Sequence, residues 1–518
     1  MLLTTLVFLP IAFALILLIW PKASSIRHLA LGFSVIEFLL TLSLLQKFDG
    51  SSSALQFVER YPWIERFGIS YFLGIDGISL WLIVLTNFLT PIIILASWNT
   101  IEKRVKGFHI ALFILQTAMQ GSFLAMDAIF FYTFWEMSLV PMYFMVGIWG
   151  GPRRIYATIK FFIFTMAGSV LMLIAMIYMM YLTQEATGQM SASLLDFYKL
   201  KIPFIGGTFF SLQTLLFFAF SLAFAIKVPM FPLHTWLPDA HVEAPTPGSV
   251  ILAGVMLKMG TYCFLRWVIP LFPEAAEYWA WLFLLLGLIG IIYGALVAMV
   301  QPDVKKLVAY SSVSHMGYIV LGMFVFNQMG ISGALYQMLN HGISTGALFL
   351  LIGMIYERTH SREINQYGGL AGAMPIFSTF FLIITLSSIA VPLTNGFVGE
   401  FMILLGTYQA QKTFAYFAVS GVVLGAVYML WMYKRVFFGA KGPLVMDEHH
   451  PLKDMSWREI AVMVPLVIMV FWMGLFPNNF LGKSKASIQH LVENKNNYSL
   501  SMIETHAPAP AAVTEVRQ

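Results

Sequence analysis

Lys227 sits in an apolar run from Leu215 to Pro229. A lone ammonium in hydrocarbon costs roughly 3 kcal/mol or more. Pro229 and Pro232 follow at once and break the helix, freeing the carbonyls of Ala225 and Val228. The negative end of the half-helix favours an ammonium there. A charge beside a helix break inside a membrane points to an ion or proton pathway. Glu136 lies in Phe134-Trp135-Glu136-Met137-Ser138-Leu139-Val140-Pro141. Pro141 cannot donate to the Met137 carbonyl, so backbone polarity is freed one residue from the acid. If Glu136 comes within about 4 Å of Lys227, the attraction is about 4 kcal/mol at an effective dielectric of 20. Forming or breaking that pair loads or ejects a proton. The competing readings are a static structural ion pair and, for Glu136, a neutral hydrogen-bonded acid or an interfacial position.

Lys258, in Gly254-Val255-Met256-Leu257-Lys258-Met259-Gly260, is too deep in its span to snorkel out. His315 follows Ser311-Ser312-Val313-Ser314, and His341 sits in Leu339-Asn340-His341-Gly342. A histidine on an apolar face is commonly a satisfied core group. Two in consecutive spans, beside a serine run and without metal-ligand spacing, point to a hydrated proton relay. A second break falls at Val391-Pro392-Leu393-Thr394-Asn395-Gly396, with Pro392 as the breaker. Glu400 follows it near the positive end of a second half-helix, which stabilises a carboxylate. Asp239, His241 and Glu243 form a candidate cytoplasmic entrance, or simply a solvated loop. Lys160, beside Arg153 and Arg154, reads as interfacial. Glu37 is mid-span with no identifiable partner. His449 and His450 are adjacent in a polar loop, but no third ligand has suitable spacing, so no metal site is expected.

These residues must be positioned by membrane helices. Of 518 residues, 59% are hydrophobic and 11% charged, against about 25% charged in soluble domains. The fold class expected is an all-α polytopic membrane protein. About 20 apolar residues span a bilayer, and fourteen segments qualify: 2–20, 28–46, 78–98, 108–126, 128–149, 155–182, 210–235, 245–268, 278–300, 305–326, 329–356, 374–410, 413–436 and 458–480. The first lacks a basic flank and a cleavage site and reads as a retained span. Sixteen Lys and Arg fall in one set of loops, which includes Lys305, and eleven in the other, which includes Arg266. Most of the eleven lie in long loops or the tail. The richer side is assigned to the cytoplasm, placing both termini in the periplasm. The single cysteine, Cys263, excludes a cysteine-ligated cluster built by this chain alone. No glycine loop for a nucleotide is present.

An internal repeat is also legible. Ala167-Gly168 to Tyr178 matches Thr345-Gly346 to Tyr356 in Gly, Ile and Met-Ile-Tyr, and Ile226-Lys227-Val228-Pro229 aligns with Ile389-Ala390-Val391-Pro392. The order favours two five-helix units in inverted orientation, each with a broken helix, as in transporters. The expected organisation is helices 1–3 over 1–107, the first repeat over 108–270 and the second over 271–440. A cytoplasmic loop and the fourteenth helix occupy 441–483, and a disordered tail 484–518.

The stretch Ile226-Lys227-Val228-Pro229-Met230-Phe231-Pro232-Leu233-His234-Thr235-Trp236-Leu237-Pro238-Asp239-Ala240-His241 resembles the signature of the antiporter-like subunits of respiratory complex I. So do Ala244-Pro245-Thr246-Pro247-Gly248-Ser249, Lys258 and Tyr310-Ser311-Ser312-Val313-Ser314-His315-Met316-Gly317. The resemblance covers roughly residues 70–440. The acid in Asn395-Gly396-Phe397-Val398-Gly399-Glu400-Phe401, and Phe134-Trp135-Glu136-Met137, are similar to the M type of that family. It implies a proton-translocating membrane subunit of NADH:quinone oxidoreductase in a bacterial inner membrane, beside L- and N-type chains. Glu136 and Lys227 are then the modulating ion pair, Lys258 the central lysine, His315 and His341 the relay, and Glu400 the terminal carboxylate of the exit. FMN, iron–sulfur clusters and quinone are implied in partner subunits, with no cofactor in this chain and no nucleic acid. The alternative is a subunit of a multisubunit cation/proton antiporter or of a membrane-bound hydrogenase. Glu37 and the tail are not covered by the resemblance.

Overall fold

Prolines, glycines and polar caps decide where each apolar run of this chain starts, bends and stops. The structure is a computed structural model and describes residues 1–446 and 452–493. His449, His450 and the chain from 494 on lie outside the described residues. Helices α1 (Leu2–Ile19) and α2 (Ile26–Lys47) lead to an antiparallel hairpin, β1 (Gln56–Ile64) and β2 (Ile69–Ile75). Then come α3 (Leu80–Thr100), α4 (Val105–Leu124), α5 (Ala128–Met137), α6 (Leu139–Trp149) and α7 (Arg154–Thr187). Helices α8 (Leu212–Lys227) and α9 (Trp236–Glu243) flank the first break. Helix α10 (Thr246–Leu271) includes two π-helical stretches, Leu252–Met256 and Phe264–Val268. Next are α11 (Ala280–Met299), α12 (Val304–Phe324) and α13 (Gln328–Thr359). Helices α14 (Pro375–Ser388) and α15 (Asn395–Ala410) flank the second break. The chain continues through α16 (Lys412–Phe437), α17 (Trp457–Leu475) and α18 (Asn478–Glu493).

Among the described residues, twelve helices are long and apolar enough to cross a membrane, with α5 and α6 acting as one. Pro141 explains the division at Ser138 between those two, since it offers no N–H to Met137. Asp127 caps α5 by accepting from Ile129 N and Phe130 N, and its second oxygen accepts from Ser70 N of the hairpin. Asp303 caps α12 in the same way, and a Ser456–Glu459 capping box starts α17. Helices α10 and α13 are buried through their central turns and α12 nearly so, while α1, α2, α16 and α17 turn broad apolar faces outward. Lys258, His315 and His341 therefore sit on the enclosed helices, where interhelical hydrogen bonds replace water.

Several expectations need correction. Residues 56–75 form the hairpin rather than a plain loop. The polar tail is not disordered at its start: α18 runs to Glu493 and buries Phe480, Ser484, Ser487, Ile488 and Leu491. That stripe docks on the start of α3, where Gly77 N donates to Ser487 Oγ at 3.0 Å and Trp81 Nε1 to the Phe480 carbonyl at 2.8 Å. Average polarity hid a helical periodicity. Lys305 and Arg266 are not loop charges. Lys305 is buried and donates to the Ala244 carbonyl at 2.6 Å. Arg266 forms a fully buried ion pair with Asp76 at the start of α3. Lys160 pairs with Asp239 at 2.7 Å rather than lying free at an interface.

The buried Asp76–Arg266 pair yields a stability prediction. Arg266→Met leaves a buried carboxylate without its cation and should cost about 3–5 kcal/mol, whereas Asp76→Asn combined with Arg266→Met should recover most of it. Thermal melting of the purified protein in detergent reads both; an unchanged melt for the single variant would contradict the assignment.

Candidate functional site

Lys258 is fully buried on α10, directly after the first π-helical stretch. π-helical turns place backbone carbonyls off the regular α-ladder and cluster at functional sites. The Ala253 carbonyl, inside that stretch, accepts from Lys258 Nζ. The other partner is His341 Nδ1 on α13, 2.6 Å away. Gly342 permits this approach, while a Cβ on Gly254 would meet Leu89 of α3 at 2.7 Å. A Cβ on Gly342 would come within 2.9 Å of the Gly254 carbonyl, so only glycine lets α13 and α10 close at this level.

The His341 ring lies 5.9 Å from that of His315 on α12, centre to centre. His315 Nδ1 is 2.9 Å from Glu400 Oε1 on α15. Gln337 Nε2 donates to the same Glu400 oxygen at 3.0 Å. Lys258, His341, His315 and Glu400 thus form one buried row across four helices. Between the two imidazoles is a cavity of about 10 Å³ lined by residues including Asn340, Ser344, Ser387 and Ser388, about the smallest volume that accepts a water. His341 Nε2 is buried without a hydrogen-bond partner among the described residues, and His315 Nε2 lies 3.5 Å from Ser388 Oγ.

The second break supplies much of that lining. Ser387 donates to Asn395 Oδ1 at 2.6 Å and shares a 2.6 Å bond with Ser344. Asn340 Nδ2 donates to Gln337 at 2.9 Å and to the Asn395 carbonyl at 2.8 Å. Ala390 and Leu393 adopt left-handed backbone conformations with φ of 58° and 75°, and the break spans 389–394 around Pro392. A Cβ on Gly399 would meet Gln337 and Asn340 at 2.5 and 2.6 Å, so glycine there lets α15 bring Glu400 to the row. These network residues were not singled out from the sequence, yet a signal exists: Gln337, Asn340, His341 and Ser344 recur at helical i, i+3, i+4, i+7 spacing.

At the first break the outcome differs from expectation. The Ala225 carbonyl is not free but accepts from Met230 N at 2.9 Å, past Pro229, and the Ile226 carbonyl accepts from Trp236 Nε1 at 2.9 Å beyond Pro232. Lys227 is buried, with Ser138 Oγ at 3.4 Å and the Trp135 and Phe161 rings at 5.2 and 5.9 Å. Glu136 is not in ion-pair contact with it. Among the described residues Glu136 Oε1 is buried without a hydrogen-bond partner, and the Tyr132 phenol lies beside Glu136 and Ser169. Ser138, two residues on from Glu136 and at the bend between α5 and α6, is what Lys227 touches.

The candidate entrance is not a solvated loop. His241 on α9 is fully buried, stacked on Phe349 at 4.6 Å, and both ring nitrogens lack hydrogen-bond partners. Asp239, partly exposed, carries the Lys160 pair and lies 3.9 Å from Arg153. Glu243 lines a cavity of about 430 Å³ with Lys305, Arg154 and Arg362.

Broken helices around an enclosed row of ionisable side chains define an antiporter-like membrane fold. A family profile described as NADH:quinone oxidoreductase/Mrp antiporter, TM, matches residues 125–425, and one described as NADH-ubiquinone oxidoreductase chain 4, amino terminus, matches residues 1–122. The chain belongs to the NADH:quinone oxidoreductase/Mrp antiporter family. It is 46% identical to NADH-quinone oxidoreductase subunit M of Rhodobacter capsulatus, over 95% of this chain and 96% of that one. It is similar to a chain of respiratory complex I from Thermus thermophilus, solved with bound NADH, at 31% identity and a TM-score of 0.84, covering 95% and 100% of the two chains. A chain of the Mrp complex from a Dietzia species shares the fold at 20% identity and a TM-score of 0.82, covering 97% of this chain and 100% of that one.

Ser387→Ala removes two hydrogen bonds from the second break and leaves the Asn395 and Ser344 side chains only their 3.3 Å bond to each other. A destabilisation of about 1–3 kcal/mol is expected, read by thermal melting in detergent. A melt identical to that of the parent would show the network to be dispensable.

Proposed function

We propose that this chain is the M-type proton-translocating membrane subunit of NADH:quinone oxidoreductase, moving protons from cytoplasm to periplasm. Electron transfer from NADH to quinone in partner subunits drives it; FMN, iron–sulfur clusters and quinone are held by those partners, with L- and N-type chains as neighbours. The observation that carries this reading is the continuous row Lys258–His341–His315–Glu400. The two repeats, 108–270 and 271–440, supply one half-pathway each, and both termini face the periplasm.

Each imidazole in the row has an entry atom and an exit atom. A proton enters past Asp239 and His241 to Lys258. The Lys258 ammonium gives a proton to His341 Nδ1, leaving a neutral amine, and His341 releases its other proton from Nε2 towards the small cavity. His315 takes a proton at Nε2 and passes one from Nδ1 to Glu400 Oε1. From Lys258 onward each step moves one proton along a hydrogen bond, or across one water between the two imidazoles. The pair Glu136 and Lys227 modulates this line through charge at a distance. Because Lys227 touches Ser138 at the α5–α6 bend, two residues on from Glu136, a small shift at that bend brings the pair together or apart.

Lys258→Ala should cut NADH-driven pumping by roughly 10²-fold in an assembled complex, the scale of a lost acid–base group. Glu136→Ala or Lys227→Ala should lower it by less. Pumping is read by dye quenching in inverted membrane vesicles, with assembly checked on native gels; normal pumping with normal assembly would remove the reading. Purification from the native membrane in mild detergent tests the driving reaction. Flavin, iron–sulfur proteins and NADH:quinone activity should co-purify, whereas small antiporter subunits or a nickel hydrogenase would favour the alternative.

A further inference from the structure

Glu37 on α2 takes no part in the row. It is fully buried, and α2 packs against α1, α3 and α4. Neither α1 nor α3 contains an Asp, Glu, Lys, Arg or His. Helix α4 carries only Lys106 and His109, whose positions lie about 21 and 16 Å along the axis from Gln120. On α2 itself, Arg27, His28 and Lys47 are about 13–15 Å away along the axis. No cation from these elements faces the carboxyl group.

Amides and hydroxyls face it instead. Gln120 Nε2 donates to Glu37 Oε1 at 3.4 Å and to Asn87 Oδ1 at 2.9 Å. Gln116 Nε2 donates to the same Asn87 oxygen at 2.6 Å. Asn87 Nδ2 donates to Thr41 Oγ1 at 2.7 Å, and Thr41 donates to the Glu37 carbonyl at 2.9 Å. The atoms left over in this knot include Glu37 Oε2, Gln116 Oε1 and Gln120 Oε1, all of them buried acceptors. An ionised Glu37 leaves three acceptors short of donors and a bare charge in hydrocarbon, a cost of several kcal/mol. One proton on Oε2 removes the charge and creates a donor for a carboxamide oxygen. Turning the Gln120 amide over brings its oxygen against Glu37 Oε1 instead, and the need for a proton remains.

We propose that Glu37 is a second buried proton-binding site, its proton held between its carboxyl group and the Gln116 and Gln120 carboxamides, separate from the Lys258–Glu400 row. Helix α3 insulates the two. Leu85 and Leu89 press on Gly342 and Gly254 beside the row. Asn87, two residues from each, lies on the other side of the helix, about 200° round. The protonated acid acts as a neutral clasp across α2, α3 and α4.

The test uses the full chain in its native complex. Glu37→Gln, the neutral isostere, should assemble and melt as the parent does. An infrared difference spectrum, parent minus variant at neutral pH, should contain a protonated-carboxyl C=O band that shifts in D₂O. A difference spectrum with only carboxylate bands overturns the proposal, as does assembly of Glu37→Asp but not of Glu37→Gln. If neither variant assembles, Gln120→Leu replaces them: a shifted protonated-carboxyl band supports the site and its absence overturns it.

Discussion

A buried lysine with no carboxylate in contact among the described residues is the constraint on which the centre of this molecule depends. Lys258 is held by one backbone carbonyl and one imidazole nitrogen. Both partners demand special backbone. The carbonyl comes from a π-helical stretch, and the imidazole reaches Lys258 because Gly342 lets two enclosed helices close on each other. With no permanent counter-ion, the charge on Lys258 is set by what its neighbours accept or supply. That is the property a relay group needs and a structural ion pair lacks.

The two breaks solve the problem of polar backbone at depth in different ways. At the first, displaced carbonyls are taken up by Met230 N and by the Trp236 indole, leaving little backbone polarity for Lys227. Lys227 is left with a hydroxyl and two aromatic faces, so its coupling to Glu136 is electrostatic rather than by contact. At the second, side chains do the work: Ser344, Ser387, Asn340 and Asn395 stitch α13 to the ends of α14 and α15 and line the gap between the two imidazoles. One break positions a charge beside a bend, and the other builds a polar pocket.

Apolar insulation matters as much as polar connection. The same α3 presents Leu85 and Leu89 towards the row and Asn87 towards Glu37. Two polar systems in adjacent helices stay distinct because three successive odd positions of one helix do not share a face. The fully buried Asp76–Arg266 pair ties the start of α3 to α10, and α18 docks on that same start.

Hydrocarbon makes the individual ionisable residues legible in the sequence. Any charge within an apolar run stands out, and Lys227, Lys258, His315, His341, Glu400 and Glu37 could each be found without a fold, as could Pro229 and Pro392 as breakers. The membrane class and the break positions followed from the same local physics, since span length and missing N–H groups are properties of the chain. Partner choice was not legible. It rests on which helices cross at which level, set by glycine contacts tens or hundreds of residues apart. Only the tertiary structure placed His341 on Lys258 and His315 on Glu400, kept Glu136 off Lys227, gave Glu37 its amide partners and drew Arg266 from a presumed loop into the interior. The cost of a buried charge is a local quantity written in sequence, whereas its compensation is an interhelical geometry that exists only after packing.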